Sequence, residues 1–271
     1  MARLHAPQYG QTIGSILTEG RRHTLSVVPS ATLLAETSLD LSPAARRRTV
    51  IRLDGGGGSD HILRWLLERG YHVLVKGFHG RRGAALAAQV RRWDPFGDTE
   101  IGYVPPPIPL PRPTTWVVRR RWHGDHWRYS YYVTTLTFPS KRALLRAYNR
   151  RGGMEVQAFR EDKRGLGLAR RRKRSFYAQW GLVVLTDIAH NLLRDFIVHG
   201  LVGSPLAAYG CQRLVRDVLS IPGRIEYLGE GVYRVALVSQ TKIAAPVQAC
   251  LERYLESLRR RLESPGFCTN C

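Results

Sequence analysis

Residues 52–77 read RLDGGGGSDHILRWLLERGYHVLVKG. Thr49 to Leu53 predicts a strand that ends at Asp54, four glycines form a loop, Asp60 to Arg69 predicts a helix, Gly70 a turn and Tyr71 to Lys76 a second strand. Strand, helix and strand in so short a span make a βαβ unit, whose two strands pair in parallel. An Asp at the carboxyl end of such a strand sits where α/β sheets place their ligands. The glycines have two readings: a tight turn with Asp60 near the helix start, or a cradle for a nucleotide phosphate. A phosphate-binding loop needs Lys-Ser or Lys-Thr after its glycines, whereas Ser59-Asp60 stands here, which argues against a nucleotide.

Upstream of this unit, Gln8 to Leu17 suggests a turn and a short strand, and Leu25 to Val28 another. Ser42-Pro43 reads as a helix cap followed by Pro at the first helical position, with a short helix over Ala44 to Arg48. Downstream, Arg81 to Trp93 predicts a basic, Ala-rich helix, and the proline-rich stretch from Pro105 to Pro113 an extended linker. Thr115 to Trp122 and Trp127 to Leu136 flank His123-Gly124-Asp125-His126, a hairpin signal. In it Arg119, Arg120, Arg121 and Arg128 interleave with Trp116, Trp122, Trp127, Tyr129 and Tyr131. Such a pattern either grips nucleic acid or places aromatics in a core, and the sequence leaves both open. His123 and His126 read as turn residues.

A second informative stretch, YNRRGGMEVQAFREDKRGLGL, occupies residues 148–168. On one helix, Tyr148, Arg151 and Glu155 fall at i, i+3 and i+7 and share a face, although a salt-bridged helix face would look the same. Gly152-Gly153 weakens such a helix by roughly 1 kcal/mol per residue relative to Ala. Arg170-Arg171-Arg172-Lys173-Arg174 is a cationic run suited to a polyanion. Beyond it, Ser175 is placed to cap a long helix in which Phe176, Trp180, Val184, Ile188, Leu192 and Phe196 recur at helical spacing as a core-facing stripe. His190 reads as a hydrogen-bonded helix residue. A helix from Leu206 to Ser220, a closing hairpin around Gly229 to Gly231 and a basic terminal helix over Val247 to Arg261 complete the chain.

Composition narrows the partners. With 42 Lys and Arg against 21 Asp and Glu, the 271-residue chain carries a formal charge of +21, while 44% of its residues are hydrophobic. A folded, strongly basic protein that favours nucleic acid follows. No apolar run long enough for a bilayer and no secretory leader are evident, so no membrane role is expected. Four sparse cysteines, at 211, 250, 268 and 271, fit reduced thiols in a cytosol, and Cys268-Thr-Asn-Cys271 lacks the second pair that a zinc site would need.

The two blocks together resemble the DDE transposases of bacterial insertion sequences. In that family Tyr, two residues, Arg, three residues, Glu, six residues, Lys lies on the helix carrying the last catalytic carboxylate. Tyr148, Arg151 and Glu155 match this spacing, while Asp162 stands at the Lys position with Lys163 beside it. Ile51-Arg52-Leu53-Asp54-Gly55 resembles the strand end that carries the family's second catalytic Asp. The resemblance covers Tyr9 to Val238. It implies an α/β, RNase H-like mixed sheet flanked by helices: residues 1–76 a partial core, 77–140 a β-rich insertion, and 141–271 the C-terminal part of the core.

It further implies Asp54 and Glu155 as catalytic, metal-binding carboxylates of a two-metal Mg²⁺ or Mn²⁺ site. Tyr148, Arg151, Lys163, Arg170, Arg171, Arg172, Lys173 and Arg174 would contact DNA. The family's first Asp lies on an earlier buried strand, and ahead of Asp54 this chain offers Asp40, read as a loop residue. The expected protein is therefore an N-terminally truncated transposase with an incomplete metal site. Double-stranded transposon ends and target DNA are its expected partners, a homodimer is compatible, and a bacterial cytoplasmic, nucleoid-associated location follows. The alternative is a catalytically inactive, basic DNA-binding remnant. A ribosome-associated RNA binder rests on charge alone.

Overall fold

A computed structural model of the chain describes residues 1–19, 24–150, 157–170, 173–228, 231–238 and 241–263. The chain divides into two compact units, Met1–Leu4 with Ile13–Met154 and His5–Thr12 with Glu155–Cys271. Strands β1 (Ala2–Ala6) and β2 (Gln11–Ile16) form a small two-stranded sheet.

In the first unit the βαβ element forms as the sequence dictates. Strand β3 (Val50–Leu53) pairs in parallel with β4 (His72–Lys76), from Val50 opposite His72 to Leu53 opposite Val75. Between them, α1 and α2 having preceded at Val28–Ser38 and Pro43–Arg46, runs α3 (Asp60–Glu68). Ser59 Oγ caps α3 by accepting from the Ile62 N–H (3.4 Å). Ile62, Leu63, Leu66 and Leu67 fall on one face of α3 and are buried against Tyr71, Val73 and Val75. Each such side chain contributes roughly 1.5–3 kcal/mol, so this packing fixes the helix where its propensity alone would not.

The sheet has six strands in the order β3-β4-β8-β7-β6-β5, with β5 (Asp94–Phe96), β6 (Thr99–Val104), β7 (Thr115–His123) and β8 (His126–Thr134). Only the β3–β4 pair is parallel among these, so the sheet is mixed. Four of its strands come from residues 77–140. One face packs on α3 and α4 (Gly80–Ala87), where Ile108 and Leu110 of the proline-rich stretch also cover the core. The other face packs on α5 (Lys141–Asn149) through Leu74, Ile101, Val117, Tyr132, Leu144, Leu145 and Tyr148.

Leu25 to Val28 is not a strand. Thr24–Ser26 is a 3₁₀ turn leading into α1, whose buried Val28, Ala31, Thr32 and Ala35 recur at helical spacing and whose Pro29 sits in the first turn. On the same helix Glu36 accepts from Arg69 Nε (2.9 Å) and the Tyr71 hydroxyl (2.9 Å), locking α1 to the end of α3. Burial and that hydrogen bond push the Tyr71 phenol up.

The second unit is built on α6 (Gln157–Gly165), α7 (Phe176–Phe196), the short α8 (Cys211–Arg213), the antiparallel hairpin β9 (Gly223–Leu228) and β10 (Gly231–Leu237), and α9 (Ala244–Glu263). Leu193, Phe196, Leu201, Leu206, Leu214, Val218, Val247 and Cys250 form its core. The expected core stripe of α7 is corrected here. Phe176, Trp180, Val184, Ile188 and Leu192 are exposed, Trp180 at 42% and Leu192 at 60%, and only Phe196 is buried.

The side of α7 that packs inward carries Val183, Thr186, Asp187, His190, Leu193 and Phe196, a mixture of polar and apolar residues. Its polar members are satisfied: Asn191 exchanges two 2.8 Å bonds with the backbone of Thr12, and Thr186 donates to Leu182 O (2.7 Å). No helix among the described residues is long and apolar enough to cross a membrane.

Candidate active site at the end of β3

Asp54 follows the last residue of β3 and is exposed. Its Oδ1 accepts from the Gly56 N–H (3.0 Å), and its carbonyl accepts from the Gly57 N–H (3.0 Å), so the carboxylate is held at the mouth of a tight turn. The glycine loop is explained by packing. A Cβ on Gly58 would lie 2.0 Å from the Lys76 carbonyl at the end of β4, and Gly58 O accepts from the Phe78 N–H (3.2 Å). This supports the tight-turn reading, with Asp60 starting α3 and paired to Arg82 (2.5 Å).

Two contacts bring Tyr148, the first residue of the other motif, to this place. The Tyr148 hydroxyl donates to the carbonyl of Leu53 (3.3 Å), one residue before Asp54, and Arg52 Nη1 donates to the Ala147 carbonyl (3.3 Å). Residues 95 apart in sequence thus tie the end of α5 to the end of β3. Tyr148 is 8% exposed and its ring meets that of Tyr132 edge-on at 4.8 Å. Its hydroxyl is engaged inside the fold, where it ties α5 to the strand that ends at Asp54. Strand parity places Lys76 on the α5 side of the sheet with Leu74, opposite Tyr132 of β8.

Helix α5 ends at Asn149, with Arg150 as its cap, and α6 begins at Gln157. Arg151, Glu155, Arg171 and Arg172 lie outside the described residues, as do Cys268 and Cys271. In the second unit Asp162, at the position the family gives to Lys, is only 1% exposed and lies 3.0 Å from His190 Nδ1, while His190 Nε2 faces Gly10 O at 3.0 Å. Lys163, one residue on and so about 100° around the helix, is exposed with Nζ 4.4 Å from the Phe159 ring centre. Arg170, Lys173 and Arg174 are exposed just ahead of α7. Ser175 makes no side-chain capping bond there.

Asp40 has a positive φ of 45° and follows the last residues of α1. Leu41 N–H reaches Glu36 O (2.9 Å) and Asp40 N–H reaches Thr37 O (3.4 Å), so Asp40 is the left-handed residue of a helix-ending Schellman turn. Burial, with Asp162 and Glu161 nearby, pushes the Cys211 thiol up to about 12, which leaves it inert as a nucleophile near neutrality.

Asp54 supplies a hard oxygen donor, the kind Mg²⁺ and Mn²⁺ take. Among the described residues no three His, Cys, Asp or Glu side chains are grouped to hold a metal, and Glu155 is not one of those residues. The Arg52–Ala147 tie escaped sequence reasoning, because it joins a strand to a helix end 95 residues away through a backbone carbonyl, which leaves no mark on residue type. A scan against protein-family models finds no match to this chain, and neither does a search of curated proteins.

Proposed function

We propose that the chain is a DDE transposase, or a fragment of one, with an RNase H-like core, acting on double-stranded DNA at transposon ends and target. The observation that carries this reading is the clamp between α5 and β3: Tyr148 and the strand preceding Asp54 are joined, as a shared site for the two sequence blocks requires. The βαβ start of the sheet, with Asp54 at its first strand's carboxyl end, supports the RNase H-like assignment.

Asp54 and Glu155 would hold Mg²⁺ or Mn²⁺. The cations would supply Lewis-acid stabilisation for the attacking and leaving oxygens of an in-line displacement at phosphorus. Asp54 is presented to solvent by its turn, Tyr148 and Arg52 fix the strand that carries it, and Arg170, Lys173 and Arg174 offer cations to the phosphate backbone. The test is nicking of supercoiled DNA by the whole chain with Mn²⁺. Wild type should nick and Asp54→Asn should not, with DNA binding retained; equal nicking by both proteins sinks the proposal.

A second reading, a DNA-binding remnant without catalysis, is favoured by Asp40. Asp40, the Asp ahead of Asp54 in this sequence, takes the left-handed backbone position of a helix-ending turn. Duplex binding by wild type without any Mn²⁺-dependent nicking would select it.

A further inference from the structure

Consecutive Arg119, Arg120 and Arg121 on β7 divide between the two faces of the sheet, and the register with β8 shows how. Arg119 lies opposite Ser130, Arg121 opposite Arg128 and His123 opposite His126, and opposed residues share a face. Val117 and Tyr132, at the same parity, belong to the core beneath α5, and the Arg119 guanidinium lies 6.0 Å from the Tyr132 ring centre.

Arg120 is on the opposite face and is structural. It sits 4.2 Å from the ring centre of Trp93 and 4.4 Å from that of Trp127, and bonds Glu100 Oε2 at 2.6 Å. The α5-side face therefore collects Arg119, Arg121, Arg128, His123 and His126. Two exposed carboxylates flank it: Asp98, 2.5 Å from Arg121, and Asp125, 2.8 Å from His126 Nδ1. Like charges directly opposed on neighbouring strands destabilise a sheet, and Asp98 offsets the Arg121–Arg128 pair only in part.

The register also locates this face. Leu53 is level with Val75, Val75 with Val133, and Lys76 with Tyr132, so β3 and β4 end at the level of Tyr132. Strand β8 runs antiparallel to β4, and its residues 126–131 continue past those ends by about 20 Å at ~3.3 Å per residue. The hairpin stands beyond the strand end that presents Asp54, with its cationic side toward the face that α5 and Tyr148 cover. Exposed Trp122 is on the other side, paired with Trp127. A membrane-binding surface would put its apolar and basic groups to work together; here they are on opposite faces.

We infer that the Arg119–Arg121–Arg128 face of the β7–β8 hairpin is a rail for the sugar–phosphate backbone of duplex DNA engaged at the β3 end. This rests on the DNA reading proposed above. The experiment measures binding of the whole chain to a mixed-sequence duplex of about 30 base pairs across about 50 to 300 mM salt, where the slope of log K against log salt is roughly −0.9 per phosphate contact. Replacing Arg119, Arg121 and Arg128 together by Ala should flatten the slope by about two to three, and Arg128→Ala alone by about one. The triple Lys variant and Trp122→Ala should keep the wild-type slope. Arg128 is exposed, so its single variant is informative even if the triple one fails to fold.

Wild-type binding with an unchanged slope in Arg128→Ala and in a folded triple Ala variant overturns the rail and leaves the DNA reading standing. Wild type that ignores duplex but binds anionic phosphatidylserine vesicles overturns both.

Discussion

Tyr148 and Glu36 show how single side chains fix this fold. Tyr148→Phe keeps the ring against Tyr132 and removes only the hydroxyl bond to Leu53 O. A loss of about 0.5–1.5 kcal/mol is expected in urea unfolding, with a larger fall in nicking than in DNA affinity, since the hydroxyl is bonded to the strand that ends at Asp54. Unchanged stability and nicking would remove Tyr148 from the positioning role. Glu36 is held below the usual carboxylate range, first by the hydrogen bond from Arg69 and then by Tyr71, against the effect of burial. Because its folded pKa is depressed, its stabilisation is full above the unfolded value and is lost as pH falls through the folded one. Thermal melts of wild type should therefore drop more steeply below about pH 4.5 than those of Glu36→Gln, and parallel curves would refute this. At Asp40, a non-glycine residue in the left-handed region, Gly should raise stability by up to about 1 kcal/mol without changing nicking. A loss of nicking in Asp40→Gly would mean that the carboxylate itself is used.

At the scale of elements, the βαβ unit was legible because strand, helix and strand differ in period and are separated by glycines, so local rules and packing agree. The β9–β10 hairpin and α9 were legible for the same reason. Helix α7 was legible in extent and misread in orientation. Its largest apolar residues form a regular stripe, but the buried side is the one whose Asn191 and His190 find internal hydrogen-bond partners, information that lives in Gly10, Thr12 and Asp162, far away in sequence. Strands β5 and β6 were missed because three- and six-residue strands beside a basic helix carry little periodicity of their own. The corrected orientation makes a prediction: Leu185→Ser and Leu192→Ser should change unfolding free energy by no more than about 0.5 kcal/mol, whereas Leu193→Ala, at a core position, should cost about 2–5 kcal/mol. Equal costs at Leu192 and Leu193 would restore the core-stripe reading. For the run ahead of α7, Ala at residues 170 to 174 should flatten the salt dependence of duplex binding by about 0.9 for every phosphate contact removed. No change in slope takes the run out of the interface.

For the molecule as a whole, a formal charge of +21 favours attraction to polyanions and says nothing about catalysis, which the proposed function assigns to Asp54 and Glu155. If, as proposed, these two carboxylates share a metal site, they repel each other, and cations that bind between them relieve the repulsion. Binding to the folded state alone then raises stability by RT ln(1 + [L]/Kd), so Mn²⁺ added at about a hundred times its dissociation constant should stabilise wild type by about 2.7 kcal/mol. Asp54→Asn and Glu155→Gln each remove one proposed charged ligand, and each should abolish both this metal-dependent rise in melting temperature and the nicking of supercoiled DNA. Affinity for duplex in the absence of metal should stay within about twofold of wild type, or tighten slightly, because a carboxylate offers no attraction to phosphate and each variant removes a negative charge. Three measurements on one set of proteins thus separate the terms. If Asp54→Asn loses nicking but keeps the full Mn²⁺ stabilisation, Asp54 acts on DNA by some route other than metal binding; if it keeps both, the end of β3 is not the active site.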